Sequence, residues 1–310
     1  MPAPTPIPFS PAAFSCRLPI TLPGGETRSG GFIDFPAGSF TPDPASAQVN
    51  SISQPGREPV DQSYGLYFDR AYSRWLPVRR QAVSPDGSHY AYVDRPVDNP
   101  QGQPARATLH VVAVKTGSEV TFDGGDLSDP YVVLDYAAEG IYLATFGYRG
   151  VWLINPQTGD VTQAAFLTNV QGSAGNGVFW VGTVNPGDPH PVAGVAPDEL
   201  DRFNLVDGSR VAWFYQPGSS VHFVSQDTNG DPIVIVGTAE LNSVELLYLP
   251  GPGISRTIQG PGGSQPVISD PLADGHGVWF GGTDGIYLYN AAGGLQQVSR
   301  QPGYPANGCF

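Results

Sequence analysis

The five residues from Asp227 to Asp231 form the clearest metal-ligand pattern in the chain. They read Asp-Thr-Asn-Gly-Asp, so oxygen-bearing side chains stand at alternate positions, Asp227, Asn229 and Asp231. Carboxylate and amide oxygens at this spacing can surround a hard cation such as Ca²⁺. However, Pro232 stands where a calcium loop has its glycine, and the twelfth position is Thr238 instead of Glu. We therefore predict either a calcium site, the one cofactor considered, or a hairpin turn rich in Asp and Asn.

The histidines and the other carboxylates show no spacing typical of a zinc site or a catalytic group. The chain has five histidines, and no two of them stand at the i, i+4 spacing of a helical zinc motif. It also lacks a G-x-S-x-G nucleophile turn, a glycine-rich phosphate loop and a C-x-x-C pair. Carboxylates cluster in residues 94–98 and 188–201, where an acid–base pair is conceivable. We predict no catalytic residue, which favours a protein without enzymatic activity but leaves an enzyme as an alternative.

Short β-strands are the elements that must position these side chains. Apolar or alternating runs rich in Val, Ile, Tyr, Phe and Trp are separated by turns of small residues. Six stretches share one shape, a strand, a turn and a second strand: residues 66–78, 110–122, 152–164, 202–214, 246–258 and 287–299. Their turn residues, Ser73, Gly117, Gly159, Gly208, Gly253 and Gly293, are separated by 44, 42, 49, 45 and 40 positions. A period of about 44 residues is typical of a four-stranded propeller blade.

A second repeated feature precedes each of these hairpins. An acidic residue or Asn followed by Gly leads into an aromatic strand in residues 84–93, 137–145, 174–182, 227–236 and 272–282, with residues 24–30 as the counterpart in the first unit. Asp-Gly and Asn-Gly supply the positive φ angles of tight hairpins. Each unit therefore has two hairpins, A–B and C–D. We predict an all-β, six-bladed β-propeller of four-stranded antiparallel blades over residues 15–310, with a seven-bladed ring as the alternative.

Residues 83–93, VSPDGSHYAYV, resemble the repeat core of TolB-type and WD-repeat-like bacterial propellers, in which S-P-D-G forms the A–B turn. Residues 30–35 and 67–87 also resemble uncharacterised exported bacterial propellers. The Trp-Asp dipeptide of eukaryotic WD repeats is missing from the chain, which does not favour an intracellular scaffold of that family. The resemblance implies a propeller architecture and export, and it implies no activity.

Three long insertions are the parts of the chain most able to carry a binding function. In the predicted register they fall between strands B and C, at residues 36–63, 95–107 and 185–197. Because B–C loops lie on one face of a propeller, they would form one surface, and long loops on a rigid scaffold often bind ligands. The candidate binding residues on this face are Asp94, Arg95, Asp98, Arg106, Asp188 and His190.

The leading functional hypothesis is therefore a propeller that binds a protein or a glycan through this face. One alternative is a hydrolase or lyase that acts on a glycan-like substrate at the axial pocket. A second alternative is a structural domain of a cell-surface protein, with the insertions tolerated because added loop length costs little.

Charge and hydropathy narrow the classes of partner. The formal net charge is −13, and such a field repels the phosphates of nucleic acids and anionic lipids, so we expect no nucleic-acid partner. No window approaches 18 consecutive apolar residues, so we expect no transmembrane segment. The apolar fraction of 40% and the aromatic fraction of 11% are sufficient for a packed core.

The two cysteines, Cys16 and Cys309, lie near opposite ends of the chain. The ends of a closed ring meet, so we predict a disulfide between them, which implies an oxidising compartment; two unrelated buried thiols are the alternative. Residues 1–14 are rich in proline, lack the features of a signal peptide and are expected to form an extended tether. We predict a monomer outside the cytoplasm, either secreted, periplasmic or tethered to the cell surface through its N-terminus.

Overall fold

The structure is a computed structural model that describes residues 7–23, 29–49, 57–59, 66–96, 107–123, 131–145, 150–187, 196–238, 243–260 and 269–310. In chain order its strands are β1 Cys16–Thr21, β2 Gly30–Phe35, β3 Ser39–Asp43, β4 Arg57–Pro59, β5 Tyr67–Asp69, β6 Arg74–Leu76, β7 His89–Pro96, β8 Thr108–Ala113, β9 Glu119–Asp123, β10 Tyr131–Ala137, β11 Gly140–Thr145, β12 Val151–Ile154, β13 Val161–Ala165, β14 Val170–Gly175, β15 Val178–Thr183, β16 Glu199–Asn204, β17 Arg210–Tyr215, β18 Ser219–Gln226, β19 Pro232–Thr238, β20 Ser243–Gly251, β21 Ile254–Gln259, β22 Ser269–Asp274, β23 Gly277–Gly281, β24 Ile286–Asn290, β25 Gly294–Ser299 and β26 Tyr304–Pro305. Two 3₁₀ turns, Ser46–Gln48 and Arg80–Ala82, are the helical elements of the described residues, and none of the helices there is long and apolar enough to cross a membrane.

Six four-stranded antiparallel sheets form the blades. Their strand orders are β26–β1–β2–β3 in blade 1, β4–β7–β8–β9 in blade 2, β10–β11–β12–β13 in blade 3, β14–β15–β16–β17 in blade 4, β18–β19–β20–β21 in blade 5 and β22–β23–β24–β25 in blade 6. The predicted six-bladed β-propeller is thus confirmed. The chain divides into two compact units. Residues 44–170 hold blades 2 and 3, and residues 1–43 together with 171–310 hold the other four blades.

Most of the predicted repeat is confirmed, because its turn residues take the same local geometry in each blade. Five of the six predicted C–D hairpins are the pairs β8–β9, β12–β13, β16–β17, β20–β21 and β24–β25. Gly117, Gly159, Gly208 and Gly253 have φ angles of 70°, 77°, 69° and 71°, a region that favours glycine. In blade 6 the residue with positive φ is Gly294, at 68°, rather than its neighbour Gly293.

The predicted register is wrong in blade 1. The hairpin at residues 66–78 forms β5–β6, a two-stranded sheet of its own, and the C–D pair of blade 1 is β2–β3, which turns at Gly38. Residues 24–30 therefore link the second strand of the blade to the third and are not an A–B turn. The first strand is β26, from the other end of the chain. The extra hairpin has the strand–turn–strand pattern of a C–D hairpin. Its turn residue Ser73 also has a positive φ, 50°, like the glycines of the C–D turns.

Blade 2 has its first strand in two pieces. Residues 57–59 of β4 pair with one end of β7, and Val83 bridges to Tyr90 near the other end. The chain between the two pieces carries β5, β6 and the second 3₁₀ turn. The predicted B–C insertion at residues 36–63 is consequently wrong, because this stretch contains β3, β4 and the connection between two blades.

The predicted disulfide between Cys16 and Cys309 is present, with 5.6 Å between the Cα atoms. Next to it, the Arg17 N–H donates to the Phe310 carbonyl at 2.7 Å, and the Phe310 N–H donates back at 3.1 Å. The two ends of the chain are therefore joined by backbone hydrogen bonds as well as by the covalent bridge.

Part of the predicted N-terminal tether lies against blade 6. The Ser10 N–H donates to the Gln297 carbonyl, and the Gln297 N–H donates to the Pro8 carbonyl, both at 2.9 Å. These bonds place residues 8–10 beside β25, where Phe9 forms a parallel bridge with Gln297. Ala12, further along the segment, is buried.

In the unit formed by residues 44–170, the apolar faces of blades 2 and 3 share one core. Leu109, Ile141 and Leu143 are fully buried in it. Leu76 and Val78, from the chain inserted into blade 2, belong to the same core, so the insertion is a packed part of the unit.

Candidate functional site

A cleft of about 500 Å³ lies at the A–B and C–D turns of blades 2 and 3. One wall is the A–B turn of blade 2, residues 84–89, and the other wall includes residues 136–138 and 156–157 from the turns of blade 3. Apolar side chains of blade 2 complete the lining: Val111, Ala113 and Val120. This cleft is at the opposite end of the blades from the B–C loops, where the sequence analysis placed the binding residues.

The A–B turn of blade 2 is built around the Asp86 carboxylate. One oxygen of Asp86 accepts hydrogen bonds from the hydroxyls of Ser84 and Ser88, each at 2.7 Å, and from the Ser88 N–H at 3.0 Å. These bonds, the one from Ser84 above all, lower the pKa of Asp86 to about 2, so the group is ionised at neutral pH. The Ser84 oxygen in turn accepts the His89 N–H at 2.9 Å. The S-P-D-G sequence thus fixes the start of β7.

The same turn determines the tautomer of His89. The Ser88 oxygen lies 2.7 Å from His89 Nδ1, and the single hydroxyl proton of Ser88 is donated to the Asp86 carboxylate. We therefore assign the ring proton to Nδ1, which donates to Ser88. In the neutral ring Nε2 then carries a lone pair, and it has no hydrogen-bond partner among the described residues. His89 is one of the residues that line the cleft, and no described residue donates to its Nε2.

Chemically, this arrangement suits binding better than hydrolysis. Ser88 gives its proton to a carboxylate and accepts one from His89, so the histidine does not act on Ser88 as a base. Burial, with a smaller contribution from the Asp86 charge, raises the pKa of Tyr136 to about 12, so this cleft residue stays neutral. The cleft therefore combines apolar surface with a neutral phenol, a ring nitrogen and the ionised Asp86 carboxylate in its wall, a lining typical of a ligand site.

A second cleft, of about 370 Å³, lies between the A–B turns of blades 4 and 5 and contains the predicted calcium residues Asn229 and Asp231. One oxygen of Asp227 accepts the N–H groups of Asn229 and Asp231, at 2.8 and 2.9 Å. The other oxygen accepts the Tyr248 hydroxyl at 2.8 Å. The segment is thus an Asx turn held by Asp227, and Asp227 has little capacity left for a cation. Calcium binding at this turn stays a prediction.

The candidate binding residues at the B–C end are only partly covered by the described chain. Asp98, Arg106, Asp188 and His190 lie outside it. Asp94 is almost completely buried, and it accepts a hydrogen bond from His110 Nε2 at 2.9 Å, so a partner at the surface does not reach it. Arg95, the next residue on β7, is half-buried.

His110 is the centre of a buried polar cluster that the sequence analysis did not recognise. Its Nε2 faces Asp94, and its Nδ1 makes a short hydrogen bond with Glu119. The Tyr92 ring stacks on the imidazole at 4.3 Å, and the Tyr92 hydroxyl donates to Glu119 at 3.0 Å. Tyr92 and Asp94 stand at alternate positions of β7, and Tyr92 is the cross-strand partner of His110. The strand pairing of blade 2 is the signal that could have revealed this cluster.

A pair of carboxyl groups lies at the B–C end of blade 4, where the sequence analysis considered an acid–base site. Burial, and then the neighbouring Asp201 carboxyl, raises the pKa of Glu199 above its ordinary value. Asp201 accepts hydrogen bonds from Arg210 Nε at 2.6 Å and from the Thr183 hydroxyl at 2.8 Å. Because Asp201 is engaged by these two residues, it is not free to act as a base, and we interpret the pair as structural.

Solved structures of several proteins are similar to this chain at low sequence identity. No family model and no curated protein matches it. An acylaminoacyl peptidase from Pyrococcus horikoshii matches at 12% identity and a TM-score of 0.47, over 68% of this chain and 37% of the peptidase. An uncharacterized protein of Listeria monocytogenes matches at 8% identity and a TM-score of 0.47, over 97% of this chain and 84% of the Listeria protein. TolB from Acinetobacter baumannii matches at 12% identity and a TM-score of 0.44, over 90% of this chain and 67% of TolB. TolB, to which the sequence resemblance pointed, is thus among the solved structures to which the chain is similar.

Proposed function

We propose that this propeller is a binding module outside the cytoplasm, and that it recognises a segment of a protein or a glycan in the cleft between the turns of blades 2 and 3. The disulfide that joins the two ends of the chain supports the location, because such bonds persist in oxidising compartments. The cleft is formed by turns on rigid blades, which is a common position for recognition sites.

The observation that carries this proposal is the unused acceptor on His89. The hydrogen bonds of the A–B turn hold the His89 ring in the tautomer that has its proton on Nδ1. In this tautomer Nε2 is an acceptor without a partner among the described residues. A ligand that donates an N–H or O–H to this nitrogen would complete the network. The apolar side chains of Val111 and Val120 would contact the carbon face of the same ligand. Amide groups and sugar hydroxyls both meet these requirements.

The test is a screen of peptide and glycan arrays with the wild-type protein and two tryptophan variants. Ala138 is exposed and lines the cleft, so Ala138→Trp fills the site without disturbing a core. Ala292 is exposed in the C–D turn of blade 6, so Ala292→Trp is the matched control. We expect Ala138→Trp to weaken each ligand found by about tenfold or more and the control to bind as the wild type does. Equal binding by both variants would show that the cleft is not the site.

Binding through the B–C loops is the competing proposal. It predicts the reverse pattern, with unchanged binding in Ala138→Trp and a loss when residues 97–106 are shortened. The two outcomes are separable because Pro96 and Thr108, which flank the shortened residues, are at the B–C end of blade 2, whereas Ala138 is in the A–B turn of blade 3.

A further inference from the structure

The chain inserted into blade 2 is the most basic stretch of an acidic protein. Residues 66–82 contain Arg70, Arg74, Arg79 and Arg80 and one acidic residue, Asp69, so their formal charge is +3. The whole chain has a formal charge of −13, which leaves −16 on all other residues. No blade takes a strand from this segment, since blade 2 has its four strands without β5 and β6.

Residues 66–82, which comprise the β5–β6 hairpin and the 3₁₀ turn that follows it, are called the hairpin from here on. This hairpin has one buried side and one exposed side. Phe68, Trp75 and Leu76 are buried, and the Phe68 and Trp75 rings contact each other with centroids 5.2 Å apart. All four arginines are exposed, as is Tyr72 at the turn. The buried side explains why the hairpin folds, because burial of aromatic and aliphatic side chains stabilises it. The exposed arginines contribute little to that burial.

The hairpin is docked on the turns of blade 2. Arg74 Nη1 donates to the Val114 carbonyl at 2.7 Å, beside the C–D turn. At the A–B turn, Gly87 packs so closely against Asp69 that a Cβ on Gly87 would lie 2.8 Å from the Asp69 carboxylate. Asp86 and Ser88, on either side of Gly87, line the cleft. One turn therefore contacts the basic hairpin and also forms a wall of the proposed site.

We infer that the hairpin extends the cleft into a site for an acidic polysaccharide, with its arginines pairing with carboxylates of the polymer. This inference deepens the proposed function, since it names the ligand class of the same cleft. Guanidinium groups bind carboxylates through paired hydrogen bonds, and all four cations of the hairpin are arginines. The exposed ring of Tyr72 offers a face for a sugar ring.

Charge also distinguishes a linear polymer from an anionic membrane. A flat lipid surface would meet the hairpin together with other parts of the unit formed by residues 44–170. Without the hairpin these residues carry 12 acidic and 5 basic side chains, a formal charge of −7, which would repel the surface. A single polysaccharide chain can follow the hairpin and the cleft, and charges more than about 8 Å away are largely screened at physiological salt. The charge distribution therefore favours the polysaccharide.

The test measures binding of polygalacturonate, a carboxylated polysaccharide, to the full chain by calorimetry at about 50 mM and about 150 mM salt. Arg70→Gln with Arg79→Gln removes two hairpin charges. Arg256→Gln with Arg300→Gln removes two exposed arginines from blades 5 and 6 and is the control of equal net charge. We expect the hairpin variant to bind about tenfold more weakly and to lose part of the salt dependence, and the control to change affinity by less than about twofold.

Several results would overturn the inference. Wild-type protein that does not bind polygalacturonate at low salt would refute it, as would equal losses in the hairpin variant and the control. Vesicles containing about 30% phosphatidylserine are the membrane arm, and a hairpin-dependent affinity for vesicles alone would assign the hairpin to lipid.

The Ala138→Trp variant separates this inference from the proposed function. If the hairpin variant loses polygalacturonate while Ala138→Trp binds it normally, the hairpin acts without the cleft and the inference of one shared site fails, while the array screen still decides the proposed cleft site. If Ala138→Trp blocks array ligands while the hairpin variant is unchanged, the cleft stands and the polysaccharide inference fails.

Discussion

Removal of the disulfide is the perturbation whose effect is best worked out from the structure. Cys16 and Cys309 are 293 positions apart, so the bridge closes almost the whole chain into one loop. Chain-entropy arithmetic for a loop of 293 residues gives a loss of about 19 cal/mol/K, which is about 5–6 kcal/mol at 25 °C. We expect Cys16→Ser with Cys309→Ser to lower the free energy of unfolding by up to about this amount.

The effect should arise in the unfolded chain, because the folded ends keep other links. Apart from the two backbone bonds between Arg17 and Phe310, the Ala306 N–H donates to the Pro19 carbonyl at 2.9 Å, and β26 pairs with β1. These bonds should hold blade 1 in place without the bridge. The unfolded variant is more expanded than the cross-linked chain, so its denaturant slope should rise.

Urea unfolding followed by tryptophan emission measures both quantities. Trp279 is a buried reporter near the bridge, since its Nε1 and the Cys309 N–H both donate to Asp274 Oδ2 at 2.7 Å. With a slope of about 3 kcal/mol/M, the midpoint should fall by about 1.5–2 M, and reduced wild-type protein should match the variant. A midpoint shift below about 0.3 M with an unchanged slope would refute the chain-entropy reasoning.

Two further changes test local features by thermal unfolding. Gly87 and Gly117 have φ angles of 73° and 70°, but only at Gly87 would an added Cβ meet atoms within 4 Å, both carboxylate oxygens of Asp69 and the Cβ of Ala71. Gly117→Ala should cost about 1 kcal/mol and Gly87→Ala about 1–2 kcal/mol more, and equal losses would contradict the close packing of the hairpin. The raised pKa of Glu199 means that the folded protein holds a proton which the unfolded chain releases, so stability falls as pH rises above its ordinary value of 4.5. Glu199→Gln should therefore raise Tm by about 1–3 °C at pH 7 and have no such benefit at pH 4, and a lower Tm at pH 7 would contradict the pairing with Asp201.

The sequence predicts the blades well because their turns are local. Asp-Gly and Asn-Gly pairs and the glycines with positive φ determine hairpins within a few residues, and alternating strands follow from them. The disulfide was predictable once a closed ring was assumed, because a ring brings Cys16 to Cys309. The Asx turn at Asp227 was one of the two alternatives considered for that segment, and its hydrogen bonds could be expected from residue types alone.

The errors come from non-local pairing. The first strand of blade 1 is β26, almost 300 residues away from β1 along the chain, and no local pattern indicates that partner. The first strand of blade 2 is interrupted by a hairpin, and its turn residue Ser73 has a positive φ angle, as the glycines of the C–D turns do. The cleft was missed because it is formed by turns of two blades, and the unpaired nitrogen of His89 depends on which way the Ser88 proton points.

In the inserted hairpin, the buried side chains explain why it folds, but they do not explain the residues on its exposed side. Ordering each backbone residue costs about 1–2 kcal/mol of conformational free energy. A segment that supplies no strand to a blade must therefore bury apolar surface to stay folded. Phe68, Trp75, Leu76 and Val78 meet that requirement. Their burial does not call for four arginines on the exposed side, and like charges close together oppose folding. Arg74 and Arg80 also hold the hairpin in place through hydrogen bonds to the Val114 and Val83 carbonyls. The proposed anionic ligand therefore accounts for the surplus of positive charge on this side in a chain that is acidic elsewhere.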